Sequence, residues 1–295
     1  MPGQLKEVRN RIKSVQSTQQ ITKAMKMVSA AKLRKAQDAI VQMRPYAQKL
    51  QQTLSNIVSN SDGDMSVLKL AAAREVKKVL VILVTSDRGL CGAYNTNLIK
   101  LTRQLIQEQY SKQMEQGNVQ IWGIGKKGTE YFQRYGYNTS DRYRDLFLNL
   151  RFEQVQEAAA AAMQAFVNGD ADVVELVYSE FKNAATQRFK VERFLPIPKV
   201  EATQQSAKKS DFIFEPGKET LIAELMPKIL NTQLYKAVLD AQASEHGARM
   251  TAMDKASENA QELLRSLRIS YNRARQAAIT TELTEIVSGA AALNG

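Results

Sequence analysis

The sequence of 295 residues contains one cysteine, Cys91, and one histidine, His246. A single cysteine excludes an internal disulfide and a zinc cluster of several thiolates, and it is typical of a reducing compartment. A single histidine leaves little material for a histidine-based metal site or catalytic triad, so we interpret His246 as a solvated or capping side chain. We therefore expect no metal site and no cofactor.

Long apolar runs are absent as well. The run Val79–Val84 has the length of a strand, far below the roughly 20 apolar residues with which a helix crosses a bilayer. Hydrophobic residues nevertheless make up 44% of the chain, which is enough to bury a core. The N-terminus is basic, but its apolar periodicity continues far beyond the length of a transit peptide, so we interpret it as mature protein. The sequence predicts a folded, soluble chain without a membrane span.

Acidic residues are scarce in the first fifty positions, where only Glu7 and Asp38 occur, and the formal net charge is +11. This excess predicts an acidic partner, which could be nucleic acid, anionic lipid or an acidic protein. No zinc finger, helix-turn-helix or aromatic stacking platform accompanies the charge. A solvated basic helix face is therefore favoured over nucleic-acid binding.

Glycine and proline are almost missing from both ends of the chain. Residues 4–58 contain only Pro45, which should bend a helix locally, and residues 220–288 contain only Pro227 and Gly247. Apolar residues in both segments step by three and four, the spacing of coiled coils. In the last segment we assign the seam to Met253, Ala256, Ala260, Leu263, Leu267, Ser270, Ala274 and Ala277.

Some sixty helical residues would span about 90 Å, so these helices should protrude from a domain. We predict that they pair with each other as an antiparallel coiled coil, although pairing between molecules is an alternative. The seam of the first helix is interrupted between Gln16 and Lys32, where Ile21, Met25 and Val28 fall out of register.

The middle of the chain alternates strand and helix, which predicts a small α/β domain with a mainly parallel, Rossmann-like sheet. We place strands at Val76–Ser86, Asn118–Gly125 and Ala171–Phe181, a final extended segment at Thr186–Ile197, and helices at Asn97–Gln113, Thr129–Tyr135 and Phe152–Gly169. Polar connections follow at Ser59–Ser66 and Pro198–Gly217. The predicted division is a helix at 1–60, an α/β domain at 75–200 and a helix at 218–290.

Two glycine-containing segments have the position of a phosphate loop between a strand and a helix. Ser86–Leu98 fits no named motif, so a structural turn is favoured. Gly123, Gly125 and Gly128 fit the dinucleotide fingerprint G-x-G-x-x-G, but the expected acid lies at Asp145 without a clear strand. A tight turn is favoured there too, with a nucleotide-dependent oxidoreductase as the alternative.

Four segments resemble, in order along the chain, the gamma subunit of F-type ATP synthases. They are QITKAMKMVSAAKLRKAQ, SDRGLCGAYN, ARMTAMDKASENA and YNRARQAAITTELTEIVSGAAA. The last carries the family's C-terminal signature through Ile279, Thr280, Glu282, Glu285, Gly289 and Ala290. Because these segments span nearly the whole chain, the sequence is identified as a member of this family.

The resemblance implies a rotor shaft without an active site of its own. The paired helices would stand inside a ring of alpha and beta subunits, and the α/β domain would contact the epsilon subunit and the membrane c-ring. Torque passing along the coil would drive ATP synthesis in the three beta subunits and regulate ATPase activity and proton flow. The implied location is peripheral, on the cytoplasmic face of a bacterial cell membrane.

The resemblance also implies contact residues. Coupling contacts to the beta subunits carry over to Lys23, Met25, Lys26, Arg275, Gln276, Thr280 and Glu282, and a contact of the α/β domain carries over to Arg88 and Cys91. We expect the segment Gln16–Lys32 to pair with Arg273–Glu285, which would bring the two coupling groups together. Chloroplast relatives carry two cysteines in an inserted segment, and 196–217 has none, so thiol switching is not expected.

Overall fold

A computed structural model describes residues 2–59, 70–72, 74–184, 186–197 and 218–294. The chain divides into two compact units, the first formed by residues 1–30 with 249–295 and the second by residues 31–248. Apart from Ser59, the predicted polar connections Ser59–Ser66 and Pro198–Gly217 lie outside the described residues.

The two predicted long helices are confirmed. Helix α1 extends over Pro2–Ser59 and continues through Pro45, while α6 extends over Lys218–Asn294 and contains Pro227. Both follow from long segments that lack helix-breaking residues in their interiors. Within the described ranges, no helix combines the length and the apolarity that a bilayer crossing requires.

The second unit contains the remaining elements. They are β1 (Val79–Val84), α2 (Tyr94–Gln109), α3 (Ser111–Glu115), β2 (Val119–Ile124), α4 (Lys126–Arg134), β3 (Thr139–Ser140), α5 (Phe152–Asn168), β4 (Val173–Phe181) and β5 (Gln187–Leu195). A short 3-10 helix covers Leu146–Asn149. The predicted helix Asn97–Gln113 is therefore two helices and begins at Tyr94. Gly169 ends α5 in the left-handed conformation that glycine adopts most easily.

The five strands form one sheet in the order β3-β2-β1-β4-β5. Strand β1 pairs in parallel with β2 and β4, β2 pairs in parallel with β3, and β5 is antiparallel to β4. The mainly parallel sheet is thus confirmed. All six residues of β1 are buried, which explains its unbroken apolar sequence, because a central parallel strand is covered on both faces.

Alternate residues of β1 pack into two hydrophobic cores. Leu80, Ile82 and Val84 face the core that contains α5 and the residues of α6 from Leu230 to Ala241. The other three residues of β1 face the core that contains α2 and Phe132 of α4. Part of α6 therefore completes the core of the second unit, beside the sheet.

A buried carboxyl lies on this part of α6. Asp240 is 4% exposed, and the charged groups that act on it are Lys236 of the same helix, Glu180 of β4, Glu192 of β5 and Arg44 of α1. Burial raises the pKa of Asp240 to about 6, and the two glutamates add to the rise, while Lys236 and Arg44 lower it. Asp240 therefore loses its proton only near neutral pH.

Replacing Asp240 by asparagine should stabilise the chain at neutral pH and remove part of its pH dependence. Between about pH 4 and pH 6 the folded chain holds a proton on Asp240 that the unfolded chain releases. The free energy of unfolding therefore falls as pH rises through this window, by about 3 kcal/mol in total. Thermal melts at pH 4.5 and 7.5 should show Asp240→Asn gaining stability over the parent only at the higher pH. The exposed Asp38→Asn is the control, and identical pH profiles for Asp240→Asn and the parent would contradict the assignment.

Candidate functional site

In the first unit, side chains of α1 and α6 pack together along a continuous seam. A series of buried and half-buried residues of α1 follows steps of three and four throughout, namely Leu5, Val8, Ile12, Val15, Gln19, Thr22, Lys26 and Ser29, and Met25 and Ala30 are half-buried beside it. The seam was predicted to be interrupted between Gln16 and Lys32, and this prediction is wrong, because the spacing of the buried positions continues through the segment. The seam continues there, but polar side chains occupy it.

The apolar residues of that polar stretch lie on the outside instead. Ile21, Met27 and Val28 are exposed, whereas Thr22 and Ser29 are buried. Met25 is half-buried at the edge of the seam. Exposed apolar side chains next to a polar seam indicate a contact surface, because burying them requires a partner.

The seam of α6 differs by one residue from the prediction over its second half. Leu264 is 6% exposed and Leu263 is 41% exposed, and Tyr271 and Ala278 are half-buried where Ser270 and Ala277 are exposed. The predicted seam residues Leu263, Ser270 and Ala277 are therefore wrong. Because apolar residues occur at neighbouring positions, the sequence pattern permits either face, and only packing against α1 selects one.

Three polar contacts fix the direction and register of this pairing. The hydroxyls of Thr22 and Ser257 are 2.7 Å apart, Lys26 Nζ lies 2.6 Å from Asp254 Oδ1, and an Arg9 guanidinium nitrogen donates to the Tyr271 hydroxyl at 2.8 Å. Residue numbers rise along α1 as they fall along α6. The helices are therefore antiparallel, as predicted.

The predicted register is wrong, however. The segment around Thr22 and Lys26 lies opposite residues 254–257, not opposite Arg273–Glu285. The two predicted groups of coupling residues are thus separated by about 20 residues along α6, or ~30 Å at the rise of an α-helix. The structure does not bring them into one site.

The seven predicted coupling residues differ in exposure. Lys23 is exposed, while Met25 and Lys26 are half-buried. Arg275, Gln276, Thr280 and Glu282 are all exposed. The Thr280 hydroxyl donates to the Gln276 carbonyl oxygen at 3.0 Å, so it is held along the helix surface.

An apolar surface near the end of α6 was missed by the sequence reasoning. Ile279, Leu283, Ile286 and Val287 are all exposed. The sequence does contain a sign of this surface, because none of these four apolar residues falls on the three-and-four repeat of the seam. Four large apolar side chains left in water over nine residues indicate a second contact surface.

In the second unit, the turn after β1 is held by its own side chains. Asn95 accepts the Ser86 backbone N–H at 3.1 Å through Oδ1 and donates through Nδ2 to Ser86 Oγ at 2.7 Å and to Cys91 Sγ at 3.2 Å. Cys91 is 2% exposed, so the predicted contact of Cys91 with a partner must be corrected, because the thiol faces the protein interior. The larger exposed side chains of the turn are Arg88 and Leu90.

The three glycines at 123, 125 and 128 serve the packing of β2 and α4 against the end of β1. A Cβ at Gly125 would lie 2.1 Å from the Thr85 carbonyl oxygen, and one at Gly123 would collide with the Thr129 hydroxyl. Thr129 Oγ1 donates to the Gly125 carbonyl oxygen at 2.8 Å. Threonine side chains thus fill the space that these glycines leave.

The N-terminal amides of α4 are also occupied by the chain itself. Lys126 N donates to Asp87 Oδ1, Lys127 N to the Ser86 carbonyl oxygen and Gly128 N to Thr85 Oγ1, over 2.9 to 3.3 Å. Burial raises the pKa of Asp87, and the bond from Lys126 N opposes the rise. Asp145 pairs with Lys126 Nζ at 2.9 Å. A phosphate would have to displace a carboxylate and a hydroxyl, so this turn is not built as a dinucleotide site.

His246 also departs from its interpretation. The residue is 7% exposed, so of the two interpretations, solvated or capping, the solvated one is wrong. The residue lies on the part of α6 that runs from 241 to 249 with almost every position buried. A helix enclosed on most sides buries polar residues along with apolar ones.

Comparisons with known proteins agree over the full length of the chain. A family model described as ATP synthase matches residues 4–293. The chain is 53% identical over 297 residues to the ATP synthase gamma chain of Cytophaga hutchinsonii, and the match covers 100% of both proteins. It is 50% identical over 289 residues to the ATP synthase gamma chain of Chlorobaculum parvum, with 98% of each covered.

Solved structures of low sequence identity share the fold. A chain of the mitochondrial ATP synthase of Euglena gracilis, in an OSCP/F1/c-ring structure, aligns with a TM-score of 0.67 at 22% identity and covers 99% of this chain and 95% of that one. A chain from the central stalk and c-ring of the Tetrahymena thermophila enzyme aligns with a TM-score of 0.55 at 24% identity, covering 80% of this chain and 99% of that one.

Proposed function

The chain belongs to the ATP synthase gamma chain family, and from this membership we propose that it is the central rotor shaft of an F-type ATP synthase. It is a non-catalytic subunit. It transmits torque between a proton-driven membrane ring and three catalytic beta subunits, where ATP is made from ADP and phosphate, and in doing so it regulates ATPase activity and proton flow. The observation that carries the proposal is the antiparallel pair of helices whose outward faces combine exposed charge with exposed apolar side chains.

The partners follow from this role. The paired helices stand within a ring of alpha and beta subunits, and the α/β domain contacts the epsilon subunit and the c-ring. The subunit is peripheral to the membrane, and the bacterial origin of the relatives supports a position on the cytoplasmic face of the cell membrane. We assign the shaft to 1–60 with 218–290 and the α/β domain to 75–200.

The contacts to the beta subunits form two separate belts. The first belt consists of Lys23, Met25 and Lys26 with the exposed apolar residues beside them. The second belt consists of Arg275, Gln276, Thr280 and Glu282 with the apolar surface of Ile279, Leu283, Ile286 and Val287. Arg88 in the turn after β1 is a further contact, whereas Cys91 supports that turn from within. Separate belts let the shaft meet different parts of the surrounding subunits at once.

Assembly tests this function. Co-expression of this chain, carrying a purification tag, with alpha and beta subunits should yield a complex that hydrolyses ATP. The chain purified alone should neither hydrolyse ATP nor bind ATP or NAD(P) in calorimetric titration. Micromolar nucleotide binding by the isolated chain, or affinity for DNA that falls steeply with salt, would point to the alternatives and contradict the shaft.

A further inference from the structure

The polar stretch of the seam in the first unit has a structure of its own. We define the polar clasp as Thr22 and Lys26 of α1 with Asp254 and Ser257 of α6. Thr22 and Ser257 lie within the seam and are 8% and 6% exposed. One turn away, Lys26 and Asp254 form an ion pair at its edge, with side chains 42% and 46% exposed. The clasp thus joins a buried contact to a half-exposed one.

The two hydroxyls of the clasp share a limited supply of protons. Thr22 Oγ1 is placed to donate to the Gln19 carbonyl oxygen at 3.0 Å, and Ser257 Oγ to the Met253 carbonyl oxygen at 2.8 Å. The hydroxyls are also 2.7 Å from each other. Three hydrogen bonds need three protons, and two hydroxyls supply two. At most two of the three hydrogen bonds therefore exist at one time. When one hydroxyl donates across to the other helix, it gives up the bond to the carbonyl oxygen of its own helix, so the pairing is coupled to hydrogen bonding within each helix.

The clasp distinguishes the observed register from its neighbours. If α6 slid by one heptad, Thr22 would face Leu264 or Met250 in place of Ser257, and Lys26 would face Gln261 or Gly247 in place of Asp254. Arg9 would face Leu264 or Ala278 in place of Tyr271. The slip that places Thr22 opposite Met250 loses all three polar contacts, and the slip that places it opposite Leu264 leaves only Lys26 facing a polar side chain, the uncharged Gln261. An apolar seam with small residues tolerates such a slip far better, since one apolar side chain replaces another.

We propose that the polar clasp fixes the axial register of the two shaft helices, so that torque applied to one helix positions the contact belts of both. The proposal rests on the shaft function. Polar side chains at seam positions specify register in coiled coils at a cost in stability. Torque on one helix can set the position of the other only if the pair keeps a single register. Thr22, Lys26, Asp254 and Ser257 act as positioning residues for Lys23 and Met25.

Disulfide trapping can report the register, because Cys91 is the only native cysteine and can be replaced by serine. Ile12 lies ten residues before Thr22 and Leu267 ten after Ser257, so the observed pairing places them opposite each other. The pair Ile12→Cys with Leu267→Cys reports this register. The pairs Ile12→Cys with Ala260→Cys and Ile12→Cys with Ala274→Cys report slips of one heptad in either direction. None of these positions belongs to the clasp.

The test compares the parent with Thr22→Val combined with Ser257→Ala, in the complex with alpha and beta subunits during ATP hydrolysis. The clasp variant should raise trapping of the slipped pairs about fivefold, as expected from losing one net hydrogen bond. It should also lower the number of protons pumped per ATP hydrolysed when the complete enzyme, with its membrane ring, is reconstituted in vesicles. Its melting temperature should be unchanged or higher, because apolar side chains replace polar ones in the seam. The exposed Thr18→Val, one turn away, is the matched control and should behave as the parent.

Two results would overturn the proposal. One is a clasp variant whose slipped pairs are trapped no more than in the parent, whatever its coupling. The other is increased slipping with an unchanged ratio of protons to ATP, because register would then have no role in coupling. Failure of the shaft function itself is distinguishable, since the parent chain with its clasp intact would then not assemble with alpha and beta subunits.

Discussion

Replacing Gly125 by alanine should destabilise the second unit by about 4 kcal/mol, which is large for the addition of one methyl group. The new Cβ would lie 2.1 Å from the Thr85 carbonyl oxygen, a backbone atom at the end of β1 that cannot move aside alone. Gly125 also has a φ of +94°, which strains any L side chain. Denaturant unfolding of the full chain measures the change.

Gly117→Ala is the matched control for this substitution. Gly117 also has positive φ, at +72°, but nothing lies within 4 Å of its Cβ position. The Gly117→Ala substitution should lower the free energy of unfolding by only about 1 kcal/mol, the cost of left-handed strain alone. Equal losses at Gly117 and Gly125 would contradict the packing role. An unchanged stability of Gly125→Ala would instead revive the interpretation of the glycine fingerprint as a ligand loop.

Replacing Met25 by lysine should lower the coupling of ATP hydrolysis to proton pumping about fivefold, because the new ammonium gains about 1 kcal/mol from an opposite charge in one rotary position. Met25 is half-buried beside the first belt. Asp254, an acid on the facing helix, already pairs with Lys26 at 2.6 Å. A second ammonium therefore turns outward, toward the acidic partner surface that the net charge of +11 predicts. Proton pumping and ATP hydrolysis, measured together in reconstituted vesicles, give the ratio.

Gln16→Lys is the control, because it introduces the same ammonium on the same helix but outside the first belt. Gln16 is exposed and lies nine residues before Met25, on the opposite face of the helix. Its new ammonium is solvated, so coupling should stay near that of the parent. Equal losses at both positions would contradict the specific role of Met25, as would full coupling in Met25→Lys.

Secondary structure was the part of the fold most open to prediction from sequence. Almost no helix-breaking residue occurs in segments 4–58 and 220–288, so both were predicted as helices. The observed helices extend slightly beyond these limits. The apolar run Val79–Val84 is the central strand β1 residue for residue. Such local patterns determine local structure because few alternatives satisfy the backbone and the apolar side chains together.

Register and polarity of the seam were not predictable in the same way. Leu263 and Leu264 are neighbours of equal hydrophobicity, and the burial of Leu264 depends on which residue of α1 lies opposite. Thr22 and Ser257 are unremarkable in the sequence, and each becomes a buried seam residue only because the other is present. Pairwise partners decide such positions, and periodicity within one helix cannot reveal them.

The candidate sites show the same division. Gly125 was interpreted correctly as part of a turn, because the fingerprint lacked its supporting strand and acid. Cys91 was expected at a surface, since a residue in a glycine-containing turn gives no local sign that Asn95 and Ser86 enclose it. The contact roles of Lys23, Met25 and the residues of the second belt stay predictions.

Rotation of this chain within a working complex tests the central proposal most directly. A bead can be attached to a cysteine at the exposed Lys112, in a Cys91→Ser background, with the surrounding alpha and beta subunits fixed to a surface. Added ATP should turn the bead continuously in one direction, at a rate that follows ATP hydrolysis. A complex that hydrolyses ATP at the normal rate while the bead stands still would contradict the account.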